Sequence, residues 1–208
     1  GGRTSSSCSL PACDYFRAVH RFVKGRFGAR HQGFFHHDKH AMCFCDHCHS
    51  ARNDADCHDR PGVKYALHVG WARVALDSKP AEALDAFSWH ILYHGTTVDA
   101  VEGILQTAQL AKAGDTVVGG HRVGVRGGHI KKPFNRTNAH TGKREKFDPN
   151  QIFLSPSIKY AGNPRVYAKQ EEWEDPTTRT KYLAQVAFQV RVRPGAKGGC
   201  TCDECKAK

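Results

Sequence analysis

An α+β fold in two parts, residues 1–62 and 63–208, is predicted by three features of the sequence. A short amphipathic segment stands ahead of a cysteine-rich stretch without usable periodicity. Alternating, strand-like segments recur from residue 63 onward. One of them, Trp89-His90-Ile91-Leu92-Tyr93, runs through His94-Gly95-Thr96-Thr97 straight into a helical stripe.

In the first part, Tyr15, Val19, Phe22 and Val23 fall on one side of a helix over residues 14 to 24, with Asp14 as its cap and Gly25 and Gly28 as its end. Residues 26 to 60 then need an organiser other than the hydrophobic effect. Cys43-x-Cys45-x-x-Cys48-His49 supplies one, because three thiols so close together cannot each find a separate disulfide partner, and thiolates ~2.3 Å from one zinc ion pack tetrahedrally. Cys13 is the first choice for the fourth ligand, with His58, His49 and Cys8 as alternatives. Such a zinc would be structural. The total of 9 Cys is odd, and metal-bound thiols point to a reducing compartment, cytoplasm or nucleus. Cys200-Thr201-Cys202-Asp203-Glu204-Cys205 echoes the first cluster; it is a second metal site, a partner of the first, or an unstructured end. His31, His36, His37 and His40 are further candidate metal ligands, or else a solvated or phosphate-facing run.

The second part begins with extended material over residues 63 to 76 and a short helical candidate over 80 to 87. After the strand at 89 to 93, Val98, Val101, Ile104 and Leu105 make the stripe of a helix capped by Thr96 or Thr97. Residues 114 to 150 carry repeated glycines and few apolar anchors, and read mostly as loop. Ile152-Phe153-Leu154 reads as a short buried strand, Ser155-Pro156-Ser157 as a turn, and residues 158 to 169 as a short helix or turn interrupted at Gly162 and Pro164. Residues 182 to 192 alternate as one strand, closed by Pro194-Gly195.

Composition bounds the partners. The hydrophobic fraction of 39%, with 3 Trp, 6 Tyr and 11 Phe, is that of a globular chain. No run approaches the ~18 to 20 apolar residues needed to cross a bilayer, so the reading is a soluble monomer without a membrane partner. A net charge of +11 fits an acidic partner, whether nucleic acid, dinucleotide or another polyanion, unless it serves solubility alone. The most basic stretch, 121 to 144, holds Arg122, Arg126, Lys131, Lys132, Arg136, Lys143 and Arg144.

Tyr93-His94-Gly95-Thr96 suits a ribose and an amide. A His at a strand end can donate to a ribose hydroxyl, and a Gly lets the backbone approach a planar carboxamide. Some sixty residues later, Gln151-Ile152-Phe153-Leu154-Ser155-Pro156-Ser157-Ile158-Lys159-Tyr160-Ala161 ends a strand in Ser with an aromatic close behind. Together the two segments resemble the signature pair of ADP-ribosyltransferases of the poly(ADP-ribose) polymerase type. Over residues 8 to 195 the string of motifs is more closely similar to the C-terminal domain of neuralized-like proteins and to related small basic shellfish proteins, some of which ADP-ribosylate guanine in DNA as pierisins do. That string is Cys43-x-Cys45-x-x-Cys48-His49, Gly70-Trp71-x-Arg73, His94-Gly95-Thr96, Gly128-His129-Ile130 and Ser155-Pro156-Ser157-Ile158-Lys159-Tyr160-Ala161.

The resemblance implies split mixed or antiparallel sheets around an NAD cleft, and transfer of a single ADP-ribose with release of nicotinamide. His94 would hold the nicotinamide ribose, Gly95 would pair with the carboxamide, and Thr96 would close the turn. Tyr160 would stack on the nicotinamide, with Tyr167 the other aromatic in range; either could instead be a core residue. Ser155 would lie near the amide and Arg126 near the pyrophosphate. His94 and Tyr160 are the expected catalytic pair. DNA guanine is the favoured acceptor, reached through the basic surface 121–144. In that family a catalytic Glu opens a late strand. Here Glu171, Glu172 and Glu204 are the late acids, and spacing does not rank them. A transferase acting on protein and a catalytically silent zinc-containing nucleic-acid-binding module are the alternatives.

Overall fold

A computed structural model describes residues 13–31, 35–36, 41–52, 57–60, 63–66, 69–76, 89–112, 114–116, 122–124, 132–137, 142–147 and 150–192. The chain is α+β, and its described strands all pair in antiparallel twos. It divides into two compact units. Unit 1 joins residues 1–89 to 170–185, and unit 2 joins 90–169 to 186–208. The extended material over 63 to 76 therefore clusters with the N-terminal segment rather than opening the second unit.

Unit 1 begins with α1 (Asp14–Val23), which buries Phe16, Ala18 and Phe22 and leaves Tyr15, Val19 and Val23 half-buried. Cys13, not Asp14, occupies the cap position; Asp14 sits in the first turn, paired with Arg17. Gly25 and Gly28 do not end the helix. A π turn (Lys24–Gly28) carries it into α2 (Ala29–His31). The i to i+5 bonding of a π turn places residues five apart on one side. Phe22 and Phe27 use this, meeting edge to face with ring centroids 6.1 Å apart, both buried. Had the α-helix continued, one of the two rings would face water.

Trp173 meets the same Phe22 ring at 5.5 Å. It belongs to a hairpin of β10 (Glu171–Glu174) and β11 (Lys181–Ala184), in which Trp173 pairs with Tyr182. Asp175 organises the connecting turn: its backbone N–H donates to Thr180 O at 2.9 Å and its Oδ1 accepts from Thr177 N at 3.0 Å. Arg21 of α1 donates through Nε to that carboxylate at 2.8 Å, and Asp175 is wholly buried. Burying this carboxylate is tolerable only because charge and lone pairs are all met.

The other described strands of unit 1 form short ladders: β1 (Phe35–His36) with β6 (Ala75–Leu76), β2 (Met42–Cys43) with β5 (Ala72–Arg73), and β3 (Cys57–Arg60) with β4 (Val63–Ala66). The helix α3 (Asp46–Arg52) follows β2.

Unit 2 is built on β7 (His90–Thr96) and β12 (Val186–Val192), paired in register from Thr96 with Val186 to His90 with Val192. The expected single strand over 182 to 192 is thus two strands. It breaks at Gln185 because β11 finds its partner in β10 and β12 finds its own in β7. After β7, Thr97 caps α4 (Val98–Thr107), its Oγ accepting from Ala100 N at 3.3 Å. Val98, Val101 and Leu105 are buried beneath it.

The stretch read as loop contains a ribbon, β8 (Phe134–Thr137) against β9 (Arg144–Phe147). Residues 152 to 154 are not a buried strand: Ile152 is 38% and Phe153 40% exposed. The Phe153 ring stacks on Phe147 of the ribbon, with centroids 5.8 Å apart, so its apolar surface is used sideways and not beneath a sheet. The short helix α5 (Ile158–Ala161), capped by Ser157, follows. Among the described residues no helix is long and apolar enough to cross a membrane. The helical candidate at 80–87, Cys8, the His58 side chain, Arg126, residues 128–131, Glu204 and the cysteines at 200, 202 and 205 lie outside the described residues.

Candidate functional site

In unit 1, the turn entering α1, the end of β2 and the start of α3 bring Cys13, Cys43, Cys45 and Cys48 together, with all four sulfurs within 4.8 Å of one another. Cys13 Sγ is 3.5 Å from Cys43 Sγ and 3.7 Å from Cys45 Sγ. Those separations are far longer than the ~2.05 Å of a disulfide. Four thiolates placed tetrahedrally at ~2.3 Å around one ion would have sulfurs ~3.8 Å apart. The set therefore has the spacing and the donor chemistry to hold a metal ion. His49 sits one residue beyond, within α3, its backbone N–H donating to Cys45 O at 2.9 Å.

The cluster is held from outside by the turn at Gly70-Trp71, which in the sequence stands out only as a motif. Gly70 N donates to Phe44 O at 2.7 Å, Phe44 N donates to Trp71 O at 2.9 Å, and Tyr15 OH donates to Gly70 O at 2.8 Å. Gly70 has φ +86°, a conformation that suits glycine. The ring of Phe44 is buried between two of the cysteines in sequence, with the Arg52 guanidinium 5.3 Å from its centroid. Burial, reinforced by the Cys43, Cys45 and Cys13 sulfurs, pushes the Tyr15 phenol up to about 12. Burial likewise pushes the Cys43 thiol up to about 12. Burial also pushes Cys45 upward, but there the Cys48 backbone N–H and the neighbouring thiols outweigh it, and Cys45 lies below the ordinary thiol range.

In unit 2, the end of β7 gathers residues that are far apart in sequence. Tyr93 and Ser155 exchange backbone hydrogen bonds at 2.7 and 3.0 Å, docking the segment after the ribbon alongside β7. The hydroxyl of Ser155, a buried residue, accepts from Ser157 N at 3.1 Å, and that of Ser157 from Tyr160 N at 3.3 Å, which fixes the turn into α5. The phenol oxygens of Tyr160 and Tyr167 lie 2.7 Å apart, with ring centroids at 5.1 Å and planes inclined by 44°. Tyr160 is 44% exposed, so it is not a core aromatic.

His94 Nδ1 lies 3.0 Å from the carbonyl oxygen of Phe153. A carbonyl only accepts, so Nδ1 is the donor in this contact. Gly95 is required for a reason other than ligand approach: a β-carbon there would run into the Ala161 carbonyl and the Tyr167 β-carbon. Thr96 is buried in the ladder, and Thr97 is the residue that closes the turn.

No protein-family model matches the chain, and no solved structure matches its fold. Around the end of β7, His94 meets the Phe153 carbonyl, Tyr93 is bridged to Ser155, and Gly95 faces Ala161 and Tyr167, whose phenol meets that of Tyr160. Glu171 and Glu172 lie on β10 in unit 1, with Glu171 3.6 Å from Arg26. Arg136 of the basic stretch turns inward, its Nη2 2.7 Å from Glu145 and its guanidinium 4.8 Å from the Phe147 centroid. It is not the outward phosphate contact that its place in a basic run implies.

Proposed function

We propose that unit 2 is a mono-ADP-ribosyltransferase with split sheets of the ADP-ribosyltransferase type, moving ADP-ribose from NAD to guanine in DNA, and that the four cysteines of unit 1 hold a structural zinc. The observation that carries the reading is the gathering of His94, Gly95, Ser155, Tyr160 and Tyr167 around one strand end.

In the reaction the glycosidic bond breaks with its electron pair passing to nicotinamide, positive charge spreads over the ribose ring, and the acceptor attacks the anomeric carbon and then gives up its proton to water. His94 Nε2 accepts from a ribose hydroxyl, while the Phe153 carbonyl keeps the imidazole in the tautomer that allows it. The backbone of Gly95 pairs with the carboxamide. Tyr160 stacks on the nicotinamide ring, and its phenol bond to Tyr167 fixes the angle at which it does so. The zinc contributes folding energy to unit 1, as a closed set of four thiolates does. A reducing compartment, cytoplasm or nucleus, keeps those thiols available.

Incubating the purified chain with labelled NAD and either duplex DNA or a protein extract tests the reading. Label on DNA with matching nicotinamide release is the expected result. Label on protein alone would move the acceptor to protein. Salt-sensitive DNA binding without any nicotinamide release would leave a silent binding module.

A further inference from the structure

The ribbon β8–β9 has two chemically distinct faces. Its register pairs Phe134 with Phe147 and Arg136 with Glu145 on one face, and Asn135 with Lys146 and Thr137 with Arg144 on the other. The first face is self-sufficient. Phe147 is buried against Phe134 at 4.9 Å and Phe153 at 5.8 Å, with Arg136 over its ring. The only charges on that face, Arg136 and Glu145, neutralise each other. The second face offers two cations and two hydrogen-bonding side chains, carries no acid, and all four residues are exposed. Lys132, just before β8, and Lys143, just before β9, are exposed as well.

We infer that the outer face of this ribbon, Asn135, Thr137, Arg144 and Lys146, is the surface that binds the sugar-phosphate backbone of duplex DNA. This deepens the reading of unit 2 as a DNA-directed transferase and rests on it for its purpose, though not for its measurement. Three physical points favour a nucleic acid. Arg144 and Lys146 lie two residues apart on one strand, roughly 7 Å, so both can reach phosphates of one backbone. Asn and Thr side chains are donors and acceptors suited to phosphate and sugar oxygens. The four residues of that face include two cations and no acid, so the face is positive throughout, as contact with a polyanion requires. The inner face then has its own role: through Phe153 it links the DNA-bound ribbon to the carbonyl that receives the His94 Nδ1 proton. The acceptor would be delivered beside His94 and not at a remote patch.

The test titrates a fluorescent duplex with the full chain, in the absence of NAD, at several salt concentrations. The variants are Arg144→Ala/Lys146→Ala and, to match the loss of charge elsewhere, Lys24→Ala/Lys181→Ala in unit 1, both of whose positions are exposed. Two lost phosphate contacts should weaken binding by tenfold or more and lower the slope of log affinity against log salt by about 2. The charge-matched variant should keep the parent slope. Equal losses in both variants, or parent binding untouched by the ribbon variant, would overturn the inference, as would a parent that binds no duplex. Nicotinamide release without DNA should be unchanged in the ribbon variant. Ribbon-dependent DNA binding by a chain that releases no nicotinamide would sink the transferase reading alone. Equal DNA labelling by parent and ribbon variant would sink the ribbon alone.

Discussion

A β-carbon on Gly95 would lie 1.8 Å from the carbonyl oxygen of Ala161. The obstacle is backbone, at the end of a helix whose turn is already fixed by Ser155 and Ser157, so it cannot swing aside as a side chain would. Gly95→Ala should therefore destabilise unit 2 by at least ~3 kcal/mol, the upper end for overpacking. Gly103 in α4 has nothing within 4 Å of the same position, and Gly103→Ala should stabilise by ~0.5 to 1 kcal/mol. Urea unfolding of both variants checks the pair. A Gly95→Ala protein as stable as the parent would mean that α5 does not approach β7 in this way.

Metal analysis after exhaustive dialysis should find about one zinc per chain, the capacity of one tetrahedral thiolate set. Cys13→Ser should lower the zinc content as Cys48→Ser does, because Cys13 Sγ sits at 3.5 Å from Cys43 Sγ and within the same group. Apparent binding energies of structural zinc reach ~10 to 16 kcal/mol, so a strong chelator should unfold unit 1. Zinc undiminished in a folded Cys45→Ala/Cys48→Ala protein would remove the cluster as the site.

The hydrogen bond from Arg21 holds the Asp175 carboxyl well below the usual carboxylate range, against the upward push of burial. Since the folded value is depressed, the stabilisation is complete above the unfolded value of ~3.9 and is lost as pH falls through the folded value. Asp175→Asn should lower the urea midpoint at ~pH 7, and the gap to the parent should narrow below ~pH 4. A gap that stays constant across that range would show that the charge of Asp175 is not what Arg21 stabilises.

Much of the local structure was legible because local chemistry decides it. The stripe of Val98, Val101, Ile104 and Leu105, of which Ile104 is only half-buried, a threonine cap that could fall on Thr96 or Thr97 and falls on Thr97, and the strand leading into His94 all depend on residues within a few positions. The cysteine cluster was legible for the same reason in Cys43, Cys45 and Cys48, and Cys13 followed from its place beside an amphipathic helix. What local pattern could not supply was pairing. Residues 182 to 192 alternate evenly, and only distant partners split them at Gln185. The β8–β9 ribbon has charged and polar residues on one face, which reads as loop until Phe147 is seen packed between Phe134 and Phe153. Arg136 looked like one cation in a basic run, although Glu145, nine residues away, had already claimed it.

The central claim is that the end of β7 binds NAD and activates it, and nicotinamide release by the purified chain tests this most directly. His94→Asn keeps a donor for the Phe153 carbonyl but removes Nε2, and Tyr160→Ala removes the stacking ring. Each interaction is worth ~1 to 1.5 kcal/mol, so each variant should release nicotinamide roughly five- to tenfold more slowly at limiting NAD. Thermal unfolding on the same samples should match the parent, because Tyr160 is 44% exposed and His94 only half-buried. A parent that releases nicotinamide in the presence of duplex DNA, with both variants folded and slowed, is the predicted result. Parent-rate release by both folded variants, or no release by the parent itself, would contradict the account.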